Sequence, residues 1–167
     1  EAAAALVIPP FVSIGEAQAF LDSRRDWLAN RLASVPARCP FVDGATIQSL
    51  ARTLILRHEE GARVATRRLG ETLVVGGAPD HLARRATDWL KREAKERFSS
   101  LASDKARRLG RAAPRVAVRD PRRQWGSCSA NGTLHLSWRL VMAPEPVIDY
   151  VVAHEVAHLA EMNHSRA

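Results

Sequence analysis

From Leu82 to Leu109 apolar residues return at helical spacing, with Ala86, Trp89, Leu90, Ala94, Phe98 and Leu101 between them. Such a stripe describes an amphipathic helix whose inner face is committed to a core. The spacing predicts one long helix, or two with a break near Ser99-Ser100, entered at Asp80 as N-cap and closed at Gly110. Upstream, Thr53–His58, Ala62–Leu69 and Thr72–Val75 are rich in β-formers. Glu60-Gly61, Gly70 and Gly76-Gly77 punctuate them, which predicts an antiparallel meander. Further upstream, Ser13-Ile14-Gly15-Glu16 is a capping box that opens a helix over about 14–34, ending before Pro36. Downstream, Arg115–Arg119 alternates as a strand, and Trp125–Cys128 reads as a turn in which Gly126 permits close backbone approach. Asn131-Gly132 is a hairpin signal leading into a strand over Thr133–Trp138. Pro144 and Pro146 open a last helix that reaches about Leu159. Together these elements place the chain in the α+β class.

A chain of 167 residues fits one domain. Its sequence divides into an N-terminal helix with the β meander, about 1–79, and a helical part, about 80–167, that carries the chemistry. Cys39 and Cys128 are too few for a disulfide framework, which favours a reducing, cytoplasmic setting. No apolar run approaches the ~20 residues that span a bilayer, so no membrane partner is expected. The sequence starts at Glu1 and stops three residues after His164, and both ends are expected to be cut. The net charge of +7 is uneven: residues 82–123 hold 14 Lys or Arg against 5 Asp or Glu. That excess either decorates a solvated helix face or forms a footprint for nucleic acid.

His154-Glu155-Val156-Ala157-His158 places two imidazoles four residues apart, about 40° around a helix, so both can reach one Zn²⁺. Glu155 lies about 100° from His154 and can approach a metal-activated water without taking a ligand position. The preceding stretch is apolar, with Val147, Tyr150 and Val151 on the histidine side, which predicts a buried site. His164 reaches the same metal only if the helix ends after His158, and Met162-Asn163 is a suitable place to turn. Glu161 is the rival: in a continuing helix it faces the right way but lies about 10.5 Å along the axis from His154. His164 is preferred over it.

Three segments in order resemble a known family. They are Arg123-Gln124-Trp125-Gly126-Ser127-Cys128-Ser129 with Asn131-Gly132-Thr133-Leu134-His135-Leu136, then Asp149 through Leu159, then Asn163-His164-Ser165. This run resembles the YgjP-like metallopeptidase domain family, relatives of the SprT-like and WLM zinc peptidases. The resemblance implies a zincin-like fold, three zinc ligands at His154, His158 and His164, and Glu155 as base. One departure is Gln124, where the family usually has Arg.

These residues predict metal-assisted hydrolysis of a peptide bond, with Glu155 moving the proton. Tyr150 and His135 are candidates for stabilising the oxyanion. The strand carrying Leu134, His135 and Leu136 is the candidate edge for laying down a peptide substrate. Cys128 reads as a small buried residue. Two alternatives remain: a protease docked on nucleic acid through residues 82–123, and a zinc-stabilised module without catalysis.

Overall fold

The structure is a computed structural model and describes residues 4–34, 39–62, 64–121 and 123–162. The chain falls into two compact units, 1–39 and 40–167. The β strands therefore group with the long helix and not with the N-terminal helices.

The first unit holds α1 (Ile14–Ser23) and α2 (Arg25–Ala33) where a single helix is expected over 14–34. The capping box forms: Glu16 N–H donates to Ser13 Oγ at 3.2 Å, and Ser13 N–H donates to the Glu16 carboxylate at 2.9 Å. The break at Arg24 has a local cause. The Ser23 hydroxyl donates to the Phe20 carbonyl at 2.8 Å, the oxygen that would accept the next helical N–H. Arg24 N–H turns instead to the carbonyls of Leu21 and Asp22. α2 ends at Ala33 with Ser34 as C-cap, close to the expected end at 34, and residues 35–38 lie outside the described residues.

The second unit is built on α3 (Leu82–Arg108), one helix that runs unbroken through Ser99-Ser100. Phe98 and Ala102 on either side of that pair are fully buried, and their packing holds the helix straight through two weak helix formers. Asp80 is not its N-cap. Asp80 sits in a short 3₁₀ turn, Pro79–His81, and His81 takes the cap position without a side-chain bond.

One sheet contains β1 (Thr46–Ser49), β2 (Arg52–Glu59), β3 (Thr66–Leu69) and β4 (Thr72–Gly76) in the order β1-β2-β4-β3. It is mixed, not an antiparallel meander: β2 and β4 pair in parallel, and the other pairs are antiparallel. Burial explains the order. Leu73, Val74 and Val75 of β4 are all buried, as a central strand covered on both faces requires. Thr66-Arg67-Arg68-Leu69 has no buried residue, so β3 takes the edge. β1 turns into β2 through Leu50 and Ala51, both at positive φ, 50° and 60°. A two-residue turn of this kind ordinarily calls for Asn-Gly, so nothing in the sequence announces it.

A second sheet holds β5 (Val116–Arg119), β6 (Gly126–Cys128) and β7 (Leu134–Ser137) in the order β5-β7-β6. The segment Trp125–Cys128, expected as a turn, thus supplies a strand from Gly126 onward. Ser129 and Gly132, the latter at φ +75°, close the β6–β7 hairpin at the Asn131-Gly132 signal. A 3₁₀ turn, Trp138–Met142, leads to α4 (Glu145–Ala157). One apolar core joins the layers. Leu56, Leu73 and Val75 from the first sheet, Leu134 and Leu136 from the second, and Ile148, Val152 and Val156 from α4 all cluster with the α3 stripe. Among the described residues no helix is long and apolar enough to cross a membrane.

Candidate active site

α4 begins after Pro144, and its first two turns are tied to α3 by the Arg97–Glu145 ion pair and by Lys105–Asp149 at 2.6 Å. Ile148, Val152 and Val156 form its buried strip. The histidine side is another strip, and it is more open than the apolar sequence suggests. Tyr150 is 68% exposed and Val147 is also exposed, while His154 and His158 are half-buried. The expectation of a buried histidine face is therefore corrected to a cleft. The apolar residues of α4 serve two faces, which a linear count of them cannot separate.

Along that cleft Tyr150, His154 and His158 follow one another at four-residue spacing. The His154 and His158 rings lie edge to face with centroids 5.0 Å apart, and the Tyr150 ring is 6.2 Å from His154. His158 is the C-cap, so the helix ends where the sequence reading required. The turn that follows puts the Glu161 carbonyl 3.0 Å from His158 Nδ1. A carbonyl only accepts, so Nδ1 carries the hydrogen, and the lone pair of the neutral ring is on Nε2. His164 lies outside the described residues, and the backbone oxygen of Glu161 is the acceptor for His158 Nδ1–H. No group of three metal-binding side chains gathers among the described residues.

Glu155 is the buried member, 6% exposed. Its carboxylate lies against β6 at Gly126, where an added Cβ would stand 2.6 Å from Glu155 Oε1 and 2.7 Å from its Cγ. Only glycine leaves room for this contact. Gly126, Trp125, Tyr150, Val151, His154 and Glu155 line a cavity of about 180 Å³. Cys128, at the other end of β6, is half-buried; burial pushes its thiol up, and the Glu155 charge adds to that.

The sequence matches the YgjP-like metallopeptidase domain family over residues 1–167, the whole chain. The chain belongs to that family. Membership suggests a metallopeptidase and implies a metal ion, usually zinc. No curated protein matches the sequence. Of the donors such an ion would need, the described residues bring together two imidazoles, those of His154 and His158, with His158 held in the tautomer that presents Nε2.

Other sequence candidates fall elsewhere. Leu134 and Leu136 are fully buried core residues and do not line the cavity at Glu155, a correction to their reading as substrate contacts. β7 is the middle strand of its sheet, flanked by β5 and β6, so it cannot serve as the edge for an added peptide. His135 is half-buried on β7 opposite Ala117 and Ser127. Sequence reasoning missed Trp125 as a cleft residue. Its exposure of 53% is the signal, and hydrophobicity alone assigns it to packing.

Proposed function

We propose that the chain is a zinc-dependent, zincin-like peptidase in which Glu155 is the catalytic base and His154, His158 and His164 hold the metal. The observation that carries this reading is the buried Glu155 carboxylate, seated on Cβ-less Gly126 beside the paired imidazoles of His154 and His158. Zinc in such a site lowers the pKa of a water towards ~7 and polarises a carbonyl. His158 holds its ring through Nδ1–H donated to the Glu161 carbonyl, which fixes the direction of Nε2. Glu155 accepts a proton from the attacking water and passes it to the leaving amine. Tyr150, exposed one turn before His154, is the candidate donor to the developing oxyanion. The substrate backbone is laid along the outer edge of β6, the strand that abuts Glu155, in place of the β7 edge first expected.

Metal content and peptide cleavage, measured together, test the reading. One zinc per chain and cleavage are expected of the wild type. Glu155→Gln keeps the zinc and loses about 10²–10⁴-fold in kcat, the range of a general base. His164→Ala loses zinc, whereas Glu161→Ala does not. Cleavage retained by Glu155→Gln would refute the role of that residue.

A further inference from the structure

Trp125 lines two hollows. One is the catalytic cavity, and the other is a separate polar pocket of about 480 Å³ formed by Asp120, Arg123, Gln124, Ser137 and Arg139 with the indole of Trp125. The second pocket lies where the chain enters β6, one residue before Gly126 and its contact with Glu155. Its walls are held in place. Arg139 donates through Nε and Nη2 to the two carboxylate oxygens of Asp120 at 2.9 and 3.1 Å, and its guanidinium lies 4.6 Å from the ring centroid of buried Trp138. The Ser137 N–H donates to the Trp125 carbonyl at 2.9 Å, which fixes the floor to the partition.

The charges do not balance. Asp120 is consumed by Arg139, and that guanidinium holds its carboxyl below the usual carboxylate range. Arg123 forms no ion pair with a described residue, and Gln124 beside it adds an amide donor. The pocket thus carries a surplus guanidinium, further donors and an exposed aromatic wall. That combination suits a planar anion taking paired N–H bonds, which is a carboxylate.

We infer that this pocket is a specificity subsite for a carboxylate on the substrate peptide, read by Arg123 and Gln124 beside Trp125. The inference rests on the peptidase reading for its substrate class. An extended peptide on the β6 edge passes from the Glu155 cavity across Trp125 into the pocket, so the group recognised belongs to a residue near the scissile bond and not at it. Two sources share this chemistry: an Asp or Glu side chain, and the α-carboxylate of a peptide C-terminus.

The experiment uses the zinc-loaded full chain carrying Glu155→Gln, so that bound peptides persist, and follows binding by Trp fluorescence and calorimetry. One peptide set walks Asp, or Asn as its neutral isostere, along an otherwise neutral amidated sequence. A second set compares free and amidated C-termini. At one position Asp is expected to bind at least about tenfold tighter than Asn, the ratio one charge-assisted hydrogen bond supplies. A preference for the free over the amidated terminus in place of this would identify the α-carboxylate as the source. Arg123→Gln should level the ratio and Arg123→Lys should restore part of it, with thermal midpoints verifying that each variant is folded. Equal binding of Asp and Asn peptides and of free and amidated termini would overturn the subsite, as would a preference that survives Arg123→Gln. Cleavage by the wild type is scored separately. A carboxylate preference without cleavage would leave the subsite standing and remove the peptidase reading, and cleavage without preference would do the reverse.

Discussion

Gly126 ties two distant stretches of sequence into one site. Its missing side chain is the space occupied by the Glu155 carboxylate, so the demand for glycine comes from a residue 29 positions away and not from a turn. Adding one methyl group at Gly126 forces that carboxylate to move, because its nearest atom stands 2.6 Å from where the Cβ would be. Gly126→Ala is therefore expected to retain the fold and zinc and to lose on the order of 10²-fold in kcat/KM, as small misplacements of a catalytic group do. Steady-state kinetics with metal analysis would check it, and an unchanged rate would show that Glu155 tolerates displacement. The helix, expected to about Leu159, stops at Ala157 with His158 as its C-cap. The histidine spacing was legible in the sequence because it follows from helical geometry. The openness of the histidine side was not, since it depends on which strip of α4 the rest of the molecule chooses to cover.

At the scale of elements, the sequence announced strands by composition and misjudged their order, because order is decided by which strands can be buried on both faces. Thr66–Leu69 and Thr72–Gly76 look alike as β runs, yet only the second can sit between neighbours. The same limit made Leu134 and Leu136 look available when they belong to a middle strand. Hairpins were legible only where their turn chemistry was ordinary: Asn131-Gly132 was found, and Leu50-Ala51 was not. Ala51 is exposed at φ 60°, so Ala51→Gly should relieve a left-handed conformation and stabilise the chain by about 1 kcal/mol, measured by denaturant unfolding. Leu50 is held differently, by an N–H donated to the Val141 carbonyl at 2.9 Å, and is not expected to gain. On α3, burial raises the Glu93 carboxyl above the ordinary Glu range, and the Glu96 charge one turn on adds to it. A raised folded-state pKa means the ionised form weighs against folding. Glu93→Gln should therefore raise the thermal midpoint at pH 7, and the gain should shrink as pH falls through the raised folded-state value and be gone below the ordinary Glu value of 4.5. A gain that persisted at pH 3 would point to packing instead of charge.

Across the whole molecule, the positive excess of residues 82–123 is less available than its arithmetic suggests. Arg84, Arg97, Lys105 and Arg107 are ion-paired within the chain, and Arg85 and Lys95 donate to the backbone carbonyls of Gly76 and Val116. Composition counts charges and cannot see such pairing. The α+β class and the long helix, by contrast, were legible, because a stripe of that length permits few alternatives. On the proposed ligand set, zinc joins the end of α4 to the chain beyond it, so its binding adds to the stability of the fold. At a free zinc concentration of 100 times its dissociation constant the gain is about 2.7 kcal/mol. Chelation should lower the thermal midpoint by about 5–10 °C for a chain of this size. An unchanged midpoint in a protein shown to hold zinc would place the metal away from the helix end. The α3 stripe has one more consequence. Because Ala86, Leu90, Ala94, Phe98 and Ala102 belong to the same buried cluster as Leu73 of one sheet and Leu136 of the other, neither sheet can open while the other stays shut. Amide protons of β4 and β7, far apart in sequence, should then exchange with solvent through the same rare global event and share one protection factor.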